Sequence, residues 1–314
     1  MAERSERMWN YDYQVPEGKK VRYIIHTDCK NEADDQFTVL HALMTDKLDV
    51  KGIIAGHFDK ANYNRFPEHT TADASFREIL KILELSGLSG KYPVFTGSNL
   101  PLSNEKMPIE TDAAKMIIEE AMKADERPLY IGMQGAITDL ACALLMEPAI
   151  AQRMTCIWIG GGDYPKGGGE FNLWQDVLAA RIVFASKMPL WQVTRSVYKQ
   201  FATSLAELQL KVKPCGAIGK YLYEQMLEVN STLFPKGTWP HGEAWALGDE
   251  GCVCALLEEI ERDDGYEMIE APYIQDDMSY SFGHGYRKIR VYHKMDVRLD
   301  LEDLFAKLQI NFGK

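Results

Sequence analysis

Residues 21–36 read VRYIIHTDCKNEADDQ, an apolar run that gives way to acidic and polar side chains. The apolar run, Val21–His26, predicts a buried β-strand. A helix is predicted from about Asp34, because apolar residues from Val39 to Met44 recur on one face at helical spacing. A strand that leads through a polar loop into a helix is the first half of a β-α-β unit.

The same alternation of short apolar runs and longer helical segments continues along most of the chain. Further strands are predicted at Val50–Gly56, Tyr92–Thr96, Pro128–Met133, Cys156–Ile159 and Leu190–Thr194. Further helices are predicted at Ala72–Leu85, Asp112–Met122, Thr138–Met146 and Leu178–Ser186. This order predicts an α/β fold, a Rossmann-like and mostly parallel sheet with helices on both faces. Such sheets bind ligands beyond the carboxyl ends of their strands, so functional residues are expected in the loops that follow strands.

The last third of the chain is predicted to be mainly helical. Helical pattern runs from about Phe201 to Leu227, with an interruption at Pro214–Gly216. Another helix is predicted at Asp249–Glu261, and Lys288–Val297 has β character. No internal repeat or linker divides the chain. We therefore predict one domain over residues 1–314, with residues 1–19 as a polar N-terminal extension.

Composition narrows the class of protein. The 314 residues are 46% hydrophobic and carry a formal net charge of -11, whereas a nucleic-acid binder normally has a basic surface. The six cysteines are scattered through apolar segments, which is typical of free buried thiols rather than of a disulfide scaffold. No apolar run approaches the roughly 20 residues that a membrane-spanning helix needs, and the first 18 residues do not resemble a signal peptide. A cytoplasmic location, no membrane partner and a small-molecule substrate are the expectations.

The loop after the first strand concentrates negative charge. Asp28, Glu32, Asp34 and Asp35 fall within eight residues. Carboxylates held together raise one another's pKa, so either they spread into solvent or a cation lies among them. Oxygen ligands in this number suit calcium or magnesium, and calcium accepts the looser geometry. The alternative is that Asp34 and Asp35 only occupy the first turn of a helix, where the helix dipole favours acidic residues.

Three further segments give the loop a context. Residues 135–141 read GAITDLA, and residues 159–162 read IGGG, followed by Glu-Phe-Asn at 170–172. Asp249 opens a late helix after Ala-Leu-Gly at 246–248. Together with the acidic loop, these segments resemble the nucleoside hydrolase family, whose preferred substrates include inosine and uridine, over about residues 20 to 260. The resemblance implies a calcium-dependent hydrolase that cuts the N-glycosidic bond of a ribonucleoside and releases free base and ribose. It also implies a homodimer or homotetramer.

The resemblance implies a role for each matching residue in the metal site. Asp28, Asp35 and Asp249 would coordinate Ca²⁺, together with a main-chain carbonyl near Gln134. A calcium-bound water would be the nucleophile, and Asp28 would take its proton. On the sugar side, the resemblance implies that three residues bind the ribose hydroxyls, Asp34, Glu170 and Asn172. Asn172 could instead cap the helix that follows it.

The chain departs from the family pattern around the leaving group. Five residues separate Asp28 from Asp34, two more than in the family, and His26 replaces the family's first aspartate. These features are typical of a divergent branch. His57 stands where the family has an asparagine that contacts ribose, so it is a further candidate for substrate binding. Gly248 replaces a histidine that protonates the leaving base in relatives.

His241 and Trp245 are the candidates to fill the place of that missing histidine. His241 could donate a proton to the leaving base near neutral pH, and Trp245 could stack on the base. The alternative is a loop histidine and a core tryptophan. His284 and His293 are further candidates for the acid.

Two other functions stay open at the level of sequence. The same calcium site could serve a hydrolase of O-linked glycosides, for which Glu243 could protonate the alcohol leaving group. The chain could also bind a nucleoside or sugar without turnover. The joint presence of Asp28, Asp34, Asp35 and Asp249 favours an enzyme.

Overall fold

A computed structural model describes residues 8–233, 236, 240, 242–258 and 264–313. Twelve strands occur in these residues: β1 (Val21–Thr27), β2 (Leu48–Ala55), β3 (Val94–Thr96), β4 (Leu129–Met133), β5 (Thr155–Ile159), β6 (Leu190–Val193), β7 (Ala202–Ser204), β8 (Ala244–Ala246), β9 (Tyr266–Glu270), β10 (Tyr273–Ile274), β11 (Tyr280–Ser281) and β12 (Lys288–Tyr292). Eight form the main sheet, in the order β3-β2-β1-β4-β5-β6-β12-β9. Every neighbouring pair in it is parallel except β12 with β9.

Eleven α-helices occur in the same residues: α1 (Asp35–Met44), α2 (Thr71–Leu85), α3 (Asp112–Met122), α4 (Thr138–Met146), α5 (Phe171–Gln175), α6 (Val177–Ala185), α7 (Arg195–Tyr198), α8 (Leu205–Lys211), α9 (Gly216–Thr232), α10 (Gly251–Leu257) and α11 (Val297–Phe312). Helices cover both faces of the sheet. One hydrophobic core lies against α1, α2, α9, α10 and α11, and the other against α3, α4 and α6. The predicted α/β class, with a mostly parallel sheet and helices on both faces, is confirmed.

Strand β1 lies at the centre of the sheet and is buried along its whole length. Its alternate side chains supply the two cores, Tyr23 and Ile25 on one face and Ile24 on the other. A parallel strand that is covered on both faces reads as a continuous apolar run, as Val21–Thr27 largely does. The loop that follows β1 therefore starts from a rigid position in the middle of the molecule.

The structure differs from the sequence prediction mainly at the edges of the fold. Residues 202–204 form β7, which pairs antiparallel with β8, where continuous helical pattern was predicted. The β character predicted through Val297 is wrong beyond Tyr292, because α11 begins at Val297. Asp296 caps this helix by accepting a hydrogen bond from the Leu299 amide (3.0 Å). Packing of α11 against α10 and α1 ties the C-terminal segment to the core.

The predicted polar extension packs on the domain from residue 8 onward. The Trp9 indole nitrogen donates to the Leu43 carbonyl oxygen (2.9 Å), and the Tyr11 hydroxyl donates to that of Met44 (2.8 Å). The Asn10 amide donates to Asn311 Oδ1 of α11 (2.8 Å). These bonds fix the segment to the ends of α1 and α11.

All six cysteines are free and buried. Among the helices in the described part of the chain, none has the length and apolar character to cross a membrane.

Candidate functional site

The candidate site lies where the carboxyl ends of the central parallel strands meet. Asp28 follows β1, Gln134 follows β4, and the glycine-rich loop that leads to Glu170 follows β5. Asp249, from a one-turn 3₁₀-helix at Gly248–Glu250, reaches the same place from the other end of the sequence. This is the edge at which parallel sheets typically bind ligands, beyond the carboxyl ends of their strands.

Two adjoining cavities form the site. The inner cavity has a volume of about 50 Å³. Its lining residues are Asp28, Asn31, Glu32, Asp34, Asp35, Gln134, Ile159, Glu170, Phe171, Asn172, Tyr198, Gly248 and Asp249. The outer cavity has a volume of about 360 Å³ and shares seven of these residues, so the two are continuous. Residues that line only the outer cavity are Tyr63, Gly169, Arg195, Lys199 and Ala246.

The inner cavity brings together the four predicted aspartates. Asp34, Asp35 and Asp249 each offer a carboxylate oxygen within 4.8 Å of the others, and Asp28 lines the same cavity. Asp34, which the sequence resemblance assigns to ribose, is thus as close to Asp35 and Asp249 as a metal ligand would be. Local bonds hold the set, since the Thr27 hydroxyl donates to Asp35 Oδ1 (2.6 Å) and the Gly248 amide to Asp34 Oδ2 (2.9 Å).

These carboxylates are buried without a compensating side chain. No lysine, arginine or histidine belongs to the described lining of the inner cavity. Burial, with the charge of Asp35 beside it, raises the pKa of Asp34 to about 8. Burial also raises the pKa of Asp35 to about 6, against the opposing effect of the Thr27 hydroxyl. The pKa values of Asp28 and Asp249 are raised well above their usual range by burial and then by the neighbouring aspartates.

The donor set fits a hard cation. Asp28 Oδ2 is buried and has no hydrogen-bond partner among the described residues, and the same holds for both polar atoms of the Gln134 side chain. Every potential ligand in this cavity is an oxygen of a carboxylate, amide or main chain, which is the set that Ca²⁺ or Mg²⁺ takes. The acidic cluster could therefore hold a metal ion.

Glu170 and Asn172 lie beside this cluster with distinct roles. Glu170 caps α5, because its carboxylate accepts hydrogen bonds from the amides of Asn172 (3.2 Å) and Leu173 (2.9 Å). It also accepts from the Gly161 amide (2.7 Å) and the Tyr198 hydroxyl (3.1 Å), and burial raises its pKa. The alternative reading of Asn172 as the helix cap is wrong, because Glu170 occupies that position.

Asn172 instead spans two strand ends. Its Nδ2 donates to the carbonyl oxygens of Gln134 (3.1 Å) and Ile159 (2.8 Å), at the ends of β4 and β5. The amide nitrogen is thus satisfied, and Oδ1 has no partner in the described part of the chain. Asn172 lines the inner cavity, so this oxygen is available to a ligand.

Other predicted residues are placed away from the cavities. His57 is buried, and its Nε2 lies 2.8 Å from the Thr138 hydroxyl, which donates to Asp176 Oδ2 (2.7 Å). Burial lowers the pKa of His57 to about 4. Trp245 belongs to a hydrophobic core, and its indole nitrogen donates to Glu32 Oε2 (3.0 Å). Neither His57 nor Trp245 lines the inner or the outer cavity.

His241 lies outside the described residues, so its role as the acid stays a prediction. His26, at the position of the family's first aspartate, is buried and its Nε2 lies 3.0 Å from Asp139 Oδ2. The ring packs under Gly56, where an added Cβ would approach it to 2.4 Å. His26 therefore joins β1 to the start of α4 behind the site.

Sequence reasoning missed the side chains that make the outer cavity. Tyr63, Arg195, Tyr198 and Lys199 line it, and none belongs to a recognised motif. The spacing of Arg195 and Lys199, four residues apart after β6, was the available signal, because it places both on one side of a helical turn.

The chain is similar to known proteins in sequence and in structure. The family model described as inosine-uridine preferring nucleoside hydrolase matches residues 23–303. The pyrimidine-specific ribonucleoside hydrolase RihB of Escherichia coli (strain SE11) is 26% identical over 193 residues, which cover 52% of this chain and 56% of that protein. RihB of Shigella flexneri serotype 5b (strain 8401) is 36% identical over 170 residues, covering 52% and 51%. The chain thus spans about half the length of these curated relatives.

A solved structure supports the fold over nearly the full length. The plant nucleoside hydrolase PpNRh1 superposes with a TM-score of 0.70 at 19% identity, covering 92% of this chain and 98% of that one. At this identity the structural likeness shows the fold alone. Membership of the family rests on the family model, which matches most of the sequence. The chain belongs to the inosine-uridine preferring nucleoside hydrolase family.

Proposed function

We propose that the protein hydrolyses the N-glycosidic bond of a ribonucleoside in a calcium-dependent reaction, releasing free base and ribose. The observation that carries the proposal is the inner cavity, where four aspartates from two distant segments are buried together without a cationic side chain. Burying like charges costs free energy, which either protons or a cation can offset, and the set of oxygen donors favours a cation.

Calcium is the cation that the donor set suits best. Asp28, Asp35 and Asp249 would hold it with the main chain near Gln134, and Asp34 stands close enough to contribute. Ca²⁺ takes six to eight oxygen ligands in flexible geometry, whereas Mg²⁺ demands a near-ideal octahedron. When bound, the ion would supply the positive charge that positions a water and lowers its pKa.

Asp28 is the proposed base. Its Oδ2 is buried and has no partner among the described residues, so it can accept a proton from a water in the inner cavity. Burial and the negative charges of the neighbouring aspartates raise the pKa of Asp28 and so favour its taking up that proton. This leaves the nucleophile next to the sugar that the rest of the cavity binds.

The sugar is proposed to lie against Asp34, Glu170 and Asn172. Their oxygens accept hydrogen bonds from ribose hydroxyls, and Asn172 is held rigidly for this by the two strand-end carbonyls. As the glycosidic bond lengthens, positive charge develops on the sugar. Fixed carboxylates around it stabilise that charge electrostatically.

The leaving base is proposed to occupy the outer cavity, beside Phe171, Tyr198 and Tyr63. Aromatic side chains offer flat apolar surfaces for a base. His241 stays our first candidate for the acid that protonates the base, ahead of His284 and His293. His57, buried against Thr138, has no access in this structure that would support a ribose contact.

A panel of nucleosides tests the proposal. Purified protein is incubated with purine and pyrimidine ribonucleosides, with calcium or with EDTA, and free base is measured by chromatography. Release of base with calcium and its loss in EDTA are expected. Release of reducing sugar from O-linked glycosides instead would show the alternative hydrolase, and calorimetric binding without any release would show a binding protein. Size measurement in solution checks the predicted homodimer or homotetramer.

A further inference from the structure

We propose that the outer cavity selects a phosphorylated substrate, a ribonucleoside 5′-phosphate, through Arg195 and Lys199. The inference rests on the proposed function, because it names the substrate class of the same site. It starts from a feature that hydrolysis of a neutral nucleoside does not use, namely two cationic side chains at the edge of an otherwise acidic site.

The two cations lie close together in the lining of the outer cavity and are absent from that of the inner cavity. Arg195 begins α7 and Lys199 follows its end, so both project from one turn into the outer cavity. Neither contributes to the inner cavity, whereas Glu32, Asp34 and Glu170 line both. The combined site is therefore acidic at the end proposed for the sugar and cationic at the outer end.

The cations are not consumed by ion pairs. Arg195 donates one hydrogen bond from Nη1 to the Gly169 carbonyl oxygen (2.8 Å), which leaves most of its donors for another acceptor. Lys199 is exposed. Among the described residues neither Arg195 nor Lys199 forms an ion pair, although Arg195 lies near enough to Asp163 for its charge to help lower the pKa of that carboxyl group. The whole chain has a net charge of -11. Two free cations beside a cavity in so acidic a protein indicate an anionic ligand.

Phosphate is the anion that this pair suits. A guanidinium presents a planar fork that matches two phosphate oxygens, and an ammonium adds a mobile point charge. The outer cavity, at about 360 Å³, lies within the size range of small-molecule sites, about 300–1,000 Å³. It therefore has room beyond the sugar contacts for a base, with the cations at its rim for the phosphate.

The test compares matched substrates in matched variants. Base release is measured as kcat/KM for a nucleoside and its 5′-monophosphate, for example uridine and uridine 5′-monophosphate, in the presence of calcium. Lys199→Gln is the main variant, because Lys199 makes no bond that folding needs. Lys187→Gln is the control, since Lys187 is also exposed and lies outside both cavities. Lys199→Arg retains the charge.

The expected result is a preference of the unmodified protein for the phosphorylated substrate. Lys199→Gln should lower the ratio of the two kcat/KM values by about fivefold to tenfold, as loss of one charged contact does. Lys199→Arg should restore most of the ratio, and Lys187→Gln should leave it unchanged. A ratio near one in the unmodified protein, or the same ratio in Lys199→Gln, overturns the inference.

Binding separates this inference from the proposed function. Calorimetry of both ligands with Asp28→Asn protein needs no turnover. If no base is released from any substrate but the monophosphate binds more tightly in a Lys199-dependent manner, hydrolysis fails and the phosphate site stands. If base is released while binding shows no preference for the monophosphate, the function stands and the phosphate site fails.

Discussion

Two largely buried acidic clusters each include a residue of helix α1, and they differ in what balances their charge. The active-site cluster consists of Asp28, Asp34, Asp35 and Asp249. The helix cluster consists of His41, Glu250, Asp300, Asp303 and Lys307. Helix α1 contributes to both, through Asp35 at its first turn and His41 further along, and Asp249 and Glu250 are neighbours in sequence.

The helix cluster carries its own cations. His41 lies between two carboxylates, with Nδ1 2.7 Å from Glu250 Oε2 and Nε2 2.9 Å from Asp303 Oδ2. Lys307 pairs with Asp303 and donates to the Thr45 hydroxyl (2.9 Å). Burial lowers the pKa of His41, but the Glu250 and Asp303 carboxylates outweigh burial and raise it overall.

The contrast bears on which cluster could hold an ion. His41, Glu250 and Asp300 also place three ligand atoms within 4.8 Å of one another, as a metal site would. Their negative charge is already offset by His41 and Lys307, and burial together with Glu250 raises the pKa of Asp300, which favours its neutral form. Both carboxyl oxygens of Asp300 are buried without a hydrogen-bond partner among the described residues, as is Asp28 Oδ2. The active-site cluster differs in that no cationic side chain belongs to the described lining of its cavity. Charge balance, and not the count of carboxylates, separates a ligand site from a structural network.

The largest effect is expected for a substitution of Asp28 in the active-site cluster. Asp28→Asn should lower kcat/KM for base release by about 10²–10⁴-fold or more, because it removes the proposed base and weakens the proposed ion site. The matched control is Asp300→Asn in the helix cluster, which replaces a carboxyl group by a neutral amide of the same shape. Asp300→Asn should retain most of the activity. Full activity in Asp28→Asn would show that another group activates the water.

The second prediction concerns the contribution of the helix cluster to the free energy of unfolding. His41→Ala should lower the free energy of unfolding by about 3–5 kcal/mol, since it leaves the buried Glu250 carboxylate without its histidine partner. Asp303, which is half-buried, keeps Lys307 as a partner. Denaturant unfolding measures the loss. His69→Ala is the control, because His69 is exposed and only 3.3 Å from Asp59, and an exposed pair is worth about 1 kcal/mol or less. A loss in His41→Ala no greater than in His69→Ala would contradict the compensation argument.

These clusters also show how far sequence reasoning reached. Strand and helix periodicity sufficed for the sheet, and the order of motifs was enough to predict that Asp28, Asp35 and Asp249 share a cavity. It did not reveal that Asp34 stands among the metal candidates, because that depends on how the first turn of α1 meets Gly248. Tyr63 was missed because an exposed residue of a short turn leaves no periodic signal. Arg195 and Lys199 were missed because their four-residue spacing does not by itself indicate that they face a cavity.

The sequence also did not reveal which candidate side chains face the interior of the protein and which face the cavities. Trp245 and His57 are of residue types that bind bases and sugars, yet each faces the interior, one toward Glu32 and the other toward Thr138. Sequence spacing alone does not indicate which side of a loop faces the ligand. The helix α11 was missed although its signals were present, an N-cap at Asp296 and apolar residues at helical spacing after it.

The third prediction concerns how calcium binding stabilises the protein and which of the two clusters this requires. Calcium that binds only the folded protein should stabilise it by about 2.7 kcal/mol at a hundredfold excess over the dissociation constant. Thermal unfolding with calcium and with EDTA measures the shift. Asp249→Asn should reduce the shift strongly, whereas Asp303→Asn, in the helix cluster, should leave it. An undiminished shift in Asp249→Asn together with a lost shift in Asp303→Asn would contradict the prediction and place the ion in the helix cluster.

Expressed per pH unit, the pH dependence of stability is the smallest effect, at most about 1.4 kcal/mol for each carboxylate. Folding raises the pKa of Asp34 from 3.8 to about 8 and that of Asp35 to about 6. Between these values the folded state binds more protons than the unfolded state, so the free energy of unfolding should fall as pH rises from about 4 to about 8. Calcium, by favouring the ionised carboxylates, should flatten this fall. The pKa of Asp300 is raised too, and its contribution should persist with calcium and disappear in Asp300→Asn. Chemical unfolding at intervals of pH, with calcium and with EDTA, measures both parts. A slope that calcium leaves unchanged would show that the active-site cluster does not hold the ion.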